Sequence, residues 1–417
     1  MSVAMETPFR EGAAASEAAI SEAMRTEAVG ADCHCAHAEC GGCRHRGIPY
    51  AEQLAIKDAA FRRALDEKGI APRELLGIAG SPRAFAYRNK MEYTFGDEYK
   101  GGPLTLGMHR RKRFMSVLTT DRCRLVDEDF NRVLDAVLRF SLERGYAAYN
   151  KKTHLGLLRN LVVRKGVRTG QLLINLVTSS QGDIDGRAFV ETLLSLATEG
   201  RVAGVLHSVN DNPADFVRGE ERRLLFGNDC YMEEIMGLSF KVSAFSFFQT
   251  NVEAAEALYE TALSWIPDIA EKTVFDLYCG AGTITQAAAA RGAGLAVGVE
   301  IVPEAVAAAR ENAERNGLKN CRFLEGDVLA VLEALAETGE RPDAILLDPP
   351  RAGVHPKALR RILDRRAQTI VYISCNPSSL ADNLTSMREH YEVKRVRAFD
   401  NFPFTDHTEA VALLERI

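Results

Sequence analysis

Between residues 252 and 374 the chain repeats one pattern, a short apolar run followed by a longer amphipathic stretch, and few folds accept it. The runs predict strands at 273–278, 295–300, 320–324, 343–348 and 369–374. Helices are expected between them at 284–291, 303–316, 328–337 and 356–366, with another ahead at 252–264. Such alternation builds a parallel, doubly wound α/β sheet covered on both faces. The end of the chain differs. Two strand-like runs, 391–399 and 410–416, lie too close together for a crossover helix. That spacing suits a terminal antiparallel strand at the edge of the sheet.

Ahead of this region the texture changes. Residues 1–32 are rich in Ala and Glu with little bulky apolar content, and read as a mobile tail or loose helix. A cysteine-rich region follows at 33–47. The stretch 48–68, "IPYAEQLAIKDAAFRRALDEK", reads as an amphipathic helix. From 85 to 240 come short alternating runs with Gly and Asp turns, such as "GLLRNLVVRKG" and "GQLLINLVTSS". These read as strands, with helices at 128–143 and 187–199. The expected organisation is a tail (1–32), the cysteine-rich region (33–47), a central α+β domain (48–240) and the doubly wound domain (241–417).

Several classes are excluded or disfavoured. No apolar run approaches the roughly 20 residues of a membrane span, and no basic-then-apolar leader opens the chain. A cytoplasmic address is therefore expected, without a membrane partner. Nine cysteines in that compartment are metal ligands, catalytic thiols or packing rather than disulfides. The net charge of −5 argues against nucleic acid only on average. Residues 83–124 hold ten Lys/Arg against four Asp/Glu, and 151–168 hold six Lys/Arg and no acid. Such local clusters are what a phosphate backbone requires, although each alone is more often a solvated surface.

The chemistry-bearing residues belong to one sheet edge, beyond the carboxyl ends of the strands, where open α/β sheets bind ligands. "DLYCGAGT" follows the first strand, and Gly280 and Gly282 permit a tight turn and close backbone approach. Glu300 ends the second strand in "VGVE" and suits a ribose diol. Asp327 follows the third in "LEGD", and Asp348 ends the fourth in "LLDPPRAGV". Four such positions without a full pyrophosphate fingerprint favour S-adenosylmethionine (SAM) over a dinucleotide. "DPP" is followed by Arg351 rather than an aromatic residue, which argues against methylation of an exocyclic amine.

Cys375, in "VYISCNPSSL", follows the fifth strand on the same edge. A cysteine there is ordinarily a small buried hydrophobe. Glu409 begins the last strand, which runs the other way, so its start also reaches this edge. A thiol beside a methyl donor has a use in pyrimidine chemistry. Carbon 5 of a pyrimidine is a poor nucleophile until a thiolate adds at carbon 6, and a base must later remove the carbon-5 proton. Nucleophile and base are the minimal set, provided that the site favours a thiolate from a thiol of ordinary pKa about 8.5.

These motifs, with "YRNKMEYTFG", "LRNLVVR", "SFFQTN", "ISCNPSSLADNL" and "DNFPFTDHTE", resemble the SAM-dependent RNA uracil-5-methyltransferases from about residue 33 to the C-terminus. The resemblance implies a class I (Rossmann-like) SAM methyltransferase fold for the C-terminal domain. It implies Cys375 as nucleophile and Glu409 as the proton-abstracting base. It implies a SAM pocket of Gln249, Tyr278, Gly280, Thr283, Glu300, Asp327 and Asp348. Phe247 and Phe248 could stack on an adenine or a flipped base, though buried strand aromatics are the ordinary reading. "CHCAHAECGGC" with Cys123 resembles the family's [4Fe-4S] site, implying Cys35, Cys40, Cys43 and Cys123 as ligands. Cys33 stays an alternative first ligand, and zinc an alternative metal. Cys230, Cys279 and Cys321 read as packing.

Many relatives carry an N-terminal RNA-binding barrel, for which the 32 residues ahead of the cysteines are too few. A chain with the cysteines and without the barrel resembles the 23S ribosomal RNA branch. The expectation is therefore a monomer with an RNA partner and no obligate protein partner, methylating a uridine of 23S rRNA. The same chemistry on tRNA is the enzyme alternative. A non-catalytic iron–sulfur redox-sensing RNA-binding protein is the other, and it would need neither Cys375 nor Glu409.

Overall fold

The computed structural model describes residues 35–213 and 221–417. The expected tail and Cys33 lie outside them. Among the described residues the first elements are helix α1 (Tyr50–Asp66) and a two-residue strand β1 (Glu74–Leu75). Strands β2 (Lys90–Asp97), β3 (Leu104–Arg110) and β4 (Arg113–Thr119) follow, then α2 (Glu128–Glu143), β5 (Leu158–Lys165), β6 (Gln171–Thr178), α3 (Gly186–Leu194), β7 (Arg201–Val209) and β8 (Glu221–Gly227). The Asp127 carboxylate accepts the Asp129 N–H and so caps α2. The helix expected at 187–199 stops at Leu194, and its last turn gives way to the bend that leads into β7.

Strands β2–β8 form a seven-stranded sheet in the order β4-β3-β2-β5-β6-β7-β8, antiparallel except for β6 beside β7. Phe130, Val133, Val137 and Phe140 of α2 and Phe189 and Leu193 of α3 cover one face of it. A hairpin of β9 (Cys230–Ile235) and β10 (Leu238–Ser243) links this half to the next.

The second half alternates as its spacing demands: α4 (Val252–Ser264), β11 (Thr273–Leu277), α5 (Thr283–Ala290), β12 (Leu295–Glu300), α6 (Pro303–Arg315), β13 (Cys321–Glu325), α7 (Val328–Glu337), β14 (Ala344–Leu347), α8 (Pro356–Asp364), β15 (Thr369–Ser374), α9 (Pro377–Met387), β16 (Tyr391–Phe399) and β17 (Glu409–Arg416). Proline opens α6, α8 and α9, where its missing N–H costs nothing.

The eight-stranded sheet runs β1-β16-β17-β15-β14-β11-β12-β13. Strands β11 to β15 are parallel to one another, whereas β17 is antiparallel to both of its neighbours. The last strand is therefore antiparallel as expected, but it is not at the edge. Strand β16 covers it, and β1 covers β16. Strands buried on both faces read as continuous apolar runs, and every residue of β14 and β15 is buried. Their side chains divide by parity. Val274, Leu346 and Val371 join α4 and α5 in one core. Phe275, Ile345 and Ile370 join the other, which also holds Phe61 and Leu65 of α1. No helix among the described residues is long and apolar enough to cross a membrane.

Candidate active site

The turn after β11 is built from left-handed backbone. Tyr278, Gly280 and Gly282 all have positive φ, at 72°, 54° and 75°. At Gly282 a Cβ would lie 2.6 Å from the Phe323 ring, so only glycine fits. The amides of Tyr278 and Cys279 both donate to the Val299 carbonyl. The Glu300 carboxylate accepts the Gly280 N–H at 3.0 Å and the Val302 N–H at 2.9 Å. Glu300 thus fixes the glycine turn while remaining partly exposed. Thr283 opens α5. Asp327 is exposed and caps α7 by accepting the Leu329 N–H. Burial pushes the Tyr278 phenol up to about 12, with the Asp327 charge adding to it.

Cys375 and Glu409 meet at the end of one ladder. Ser374 of β15 pairs with Ala410 of β17. Cys375 is the first residue after β15 and Glu409 the first of β17, so both lie at this end of the ladder, close enough for the Glu409 charge to act on the thiol. Burial raises the Cys375 thiol, and the charges of Glu409 and Asp348 raise it further, with Arg351 opposing them. Burial pushes Glu409 up to about 7. Asp348 is held well above the carboxylate range by burial, then by Glu409 and Asp276. Asp276, 1% exposed, accepts from the Thr285 hydroxyl at 2.5 Å and is pushed up by burial to about 6. This is a crowded acidic pocket. Without a substrate it opposes the thiolate that the chemistry needs.

Gln249 enters from the β10–α4 connection, where its side-chain amide donates to the Tyr259 hydroxyl at 2.8 Å. Asn89 donates to the Gln249 carbonyl, and the buried Arg164 guanidinium donates to the carbonyls of Ala244 and Ser246. The smaller sheet thus fixes the segment that carries Gln249. Phe248 is buried against Phe240. Phe247 is 75% exposed, so the buried reading fails for that ring.

Cys35, Cys40, Cys43 and Cys123 are all partly buried. Backbone N–H groups point at their sulfurs: His37 at Cys35 and Gly42 at Cys40, both at 3.4 Å, and Leu125 and Val126 at Cys123. Burial raises Cys123 to about 11, and Cys35 and Cys40 add to the rise. Among the described residues no three His, Cys, Asp or Glu side chains form a group that would hold a single metal ion. Cys279 is buried, and Cys230 and Cys321 are partly buried. Cys279 and Cys321 both lie in the apolar cluster around Val306 and Phe323.

The cysteine segment is stitched on two sides. Toward the β3–β4 hairpin, Gly41 donates to the His109 carbonyl, Arg111 N–H to the Glu39 carbonyl and the Arg111 guanidinium to the Cys43 carbonyl, while Arg110 pairs with Glu39. Toward the loop that precedes Glu409, His45 donates to the Phe404 carbonyl and Arg44 pairs with Asp406 at 3.0 Å. Much of the basic charge counted in the sequence is consequently used inside the molecule. Arg159 donates to the carbonyls of Asn210 and Asn212, Lys165 pairs with Asp127 and Asp129, and Arg168 pairs with Glu256.

Residues 216–417 match the family model described as tRNA (uracil-5-)-methyltransferase. An uncharacterised RNA methyltransferase of Clostridium acetobutylicum is 47% identical over 378 residues, which cover 90% of this chain and 82% of the relative. Another from Caldanaerobacter subterraneus is 45% identical over 404 residues, covering 96% and 88%. Among solved structures, the tRNA (uracil-54, C5)-methyltransferase of Pyrococcus abyssi, in complex with S-adenosyl-L-homocysteine, superimposes with a TM-score of 0.75 at 26% identity. That match covers 90% of this chain and 86% of the other.

Proposed function

The chain belongs to the RNA uracil-5-methyltransferase family, and on that premise we propose that it methylates carbon 5 of a uridine in 23S rRNA through a covalent Cys375–uracil adduct. The carrying observation is the end of the β15–β17 ladder, where Cys375 follows Ser374 and Glu409 precedes its partner Ala410, with the Glu409 charge acting on the thiol.

The residues around the glycine turn fit SAM. Glu300, held by two backbone amides, is an acceptor for a ribose diol. Tyr278, Gly280, Thr283 and Asp327 line the same strand ends, and Gln249 and Asp348 complete the set. SAM supplies the methyl group on a sulfonium. The protein's own work concerns the uracil. The Cys375 sulfur bonds to carbon 6, which makes carbon 5 nucleophilic. After carbon 5 has gained its methyl group, Glu409 takes the carbon-5 proton. The carbon 6–sulfur bond then breaks, restoring the double bond and freeing the thiolate, which the protonated Glu409 can reprotonate. A carboxylate near 7 is half ionised at neutral pH, which suits a base that must both take a proton and later release it. Phe247, exposed two residues before Gln249, offers a face on which the flipped base stacks.

Cys35, Cys40, Cys43 and Cys123 would supply the four thiolates of a [4Fe-4S] cluster, and the amides aimed at the sulfurs of Cys35, Cys40 and Cys123 favour thiolate ligands there. The cysteine segment supports the ribosomal target through its resemblance to that branch. A tRNA target is the second reading, favoured by the match to the Pyrococcus abyssi tRNA enzyme. Mass mapping of 5-methyluridine in 23S rRNA and tRNA from cells with and without the gene separates the two. The reading requires loss from 23S rRNA. Loss from tRNA alone moves the target, and loss from neither sinks the proposal.

A further inference from the structure

Strand β4 begins with three consecutive exposed residues, Arg113, Phe114 and Met115. Phe114 is 57% exposed and Met115 47%. They border a groove of about 370 Å³ between the hairpin and the loop after α2, which His109, Leu142, Tyr149 and Lys151 also line. Phe114 is held in place. The His109 ring lies nearly parallel to it, with centroids 4.6 Å apart, and the Lys151 ammonium sits 4.4 Å from its centroid.

The rim is cationic on balance. Lys151 and one carboxylate, Asp97, line the groove, and Lys112, Arg113 and Lys152, next in sequence to Phe114 and Lys151, are exposed and form no ion pair among the described residues, whereas Arg110 and Arg111 are bound to the cysteine segment. An aromatic and apolar floor inside a basic rim is the chemistry that binds single-stranded nucleic acid, with bases on the rings and phosphates on the cations. An apolar protein surface would gain nothing from the rim.

We propose that this groove takes an unpaired nucleobase of the substrate RNA, other than the target uridine, stacked on Phe114 opposite His109 in the place of the Lys151 ammonium, which turns to a phosphate. The proposal rests on the RNA-methylating reading above. The hairpin also reaches the catalytic loop through a short path. Residues 39–43 bond to its tip, and residues 44 and 45 bond to the loop before Glu409. A base seated here would therefore fix the RNA relative to the base-bearing strand.

The test begins with unmodified 23S rRNA and tRNA transcripts, and the one that accepts methyl groups from the wild-type protein becomes the probe. Base stacking is worth roughly 1–3 kcal/mol. Phe114→Ala and Phe114→Leu should therefore both weaken RNA binding by about tenfold or more. Both should raise KM for RNA far more than they lower kcat, and leave SAM affinity as it was. Phe114→Trp should retain binding. The chain has one tryptophan, the buried Trp265, so the introduced indole reports directly. Its fluorescence should fall on adding the RNA and stay constant with inorganic polyphosphate, which has charge but no bases. Wild-type affinity in Phe114→Ala, full affinity in Phe114→Leu, or equal quenching by polyphosphate would each overturn the groove while leaving the methylation reading intact. If neither transcript accepts methyl groups, that reading fails and the groove falls with it.

Discussion

At the scale of single residues, the site is a balance between a thiol and three carboxylates. Glu409 and Asp348 both hold the Cys375 thiol up. Removing one charge should release it. In Glu409→Gln the pH midpoint for alkylation of Cys375 by iodoacetamide should move to lower pH than in wild type, and an unchanged midpoint would separate the two groups. The same carboxylate bears on stability. Its pKa is about 7 in the fold against an ordinary 4.5, so between those values the folded state holds a proton that the unfolded state has lost. Stability must then fall as pH rises through that window. At pH 8 Glu409→Gln should be more stable than wild type by about 3 kcal/mol, and at pH 4 the two should melt alike. The sequence made Cys375 and Glu409 legible as a pair through strand direction. It could not show that the pocket around them is acidic enough to oppose the thiolate, because Asp276 reads as an ordinary strand residue in "TVFDL" and its depth is a property of the packed sheet.

At the scale of elements, the parallel strands were legible because burial on both faces leaves a continuous apolar run that no other element resembles. Order in the sheet was not. Nothing in "EAVALLER" distinguishes a covered strand from an edge strand, and β1 is two residues long. The loop between β16 and β17 shows what the local pattern omits. Lys57 of α1, 2% exposed, bonds to Asp400 at 2.6 Å and to the Phe402 carbonyl at 3.0 Å. Asp400 directly follows Phe399, the ladder partner of Glu409. Lys57→Met would leave a buried charge unpaired, which should cost about 3–5 kcal/mol, and adding Asp400→Asn should recover part of it. Urea titrations of both single variants and the double would decide, and a double loss equal to the sum of the two single losses would mean that the pair is not coupled. The glycine turn makes a similar demand on one residue. Gly282→Ala meets both a positive φ and the Phe323 ring, so it should lose more than about 2 kcal/mol and weaken SAM binding, measured by calorimetry.

At the scale of the whole molecule, the cysteine segment is the tie between the two sheets' working parts, bonded to the β3–β4 hairpin on one side and to the loop before Glu409 on the other. The sequence displayed its thiols but not these contacts, which join residues far apart in the chain. The same long-range pairing explains why the basic runs overstate the charge that faces outward: Arg159, Lys165 and Arg168 find their partners only in the fold. If the four thiolates hold a [4Fe-4S] cluster, anaerobically purified protein should carry about four irons per chain, and Cys35→Ala should lose them while Cys33→Ala keeps them. Loss of iron should also speed hydrogen exchange at the Gly41 and His45 amides, which close the two seams. The central claim remains the division of labour at the ladder end, and Glu409→Gln tests it most directly. Without the carboxylate, addition and methyl transfer proceed but the carbon-5 proton stays. Incubation with substrate RNA and methyl-labelled SAM should then trap a labelled enzyme–RNA adduct, seen as a slowly migrating band on a denaturing gel and absent when Cys375→Ala is added. Turnover of Glu409→Gln at the wild-type rate, with no trapped band, would contradict the account.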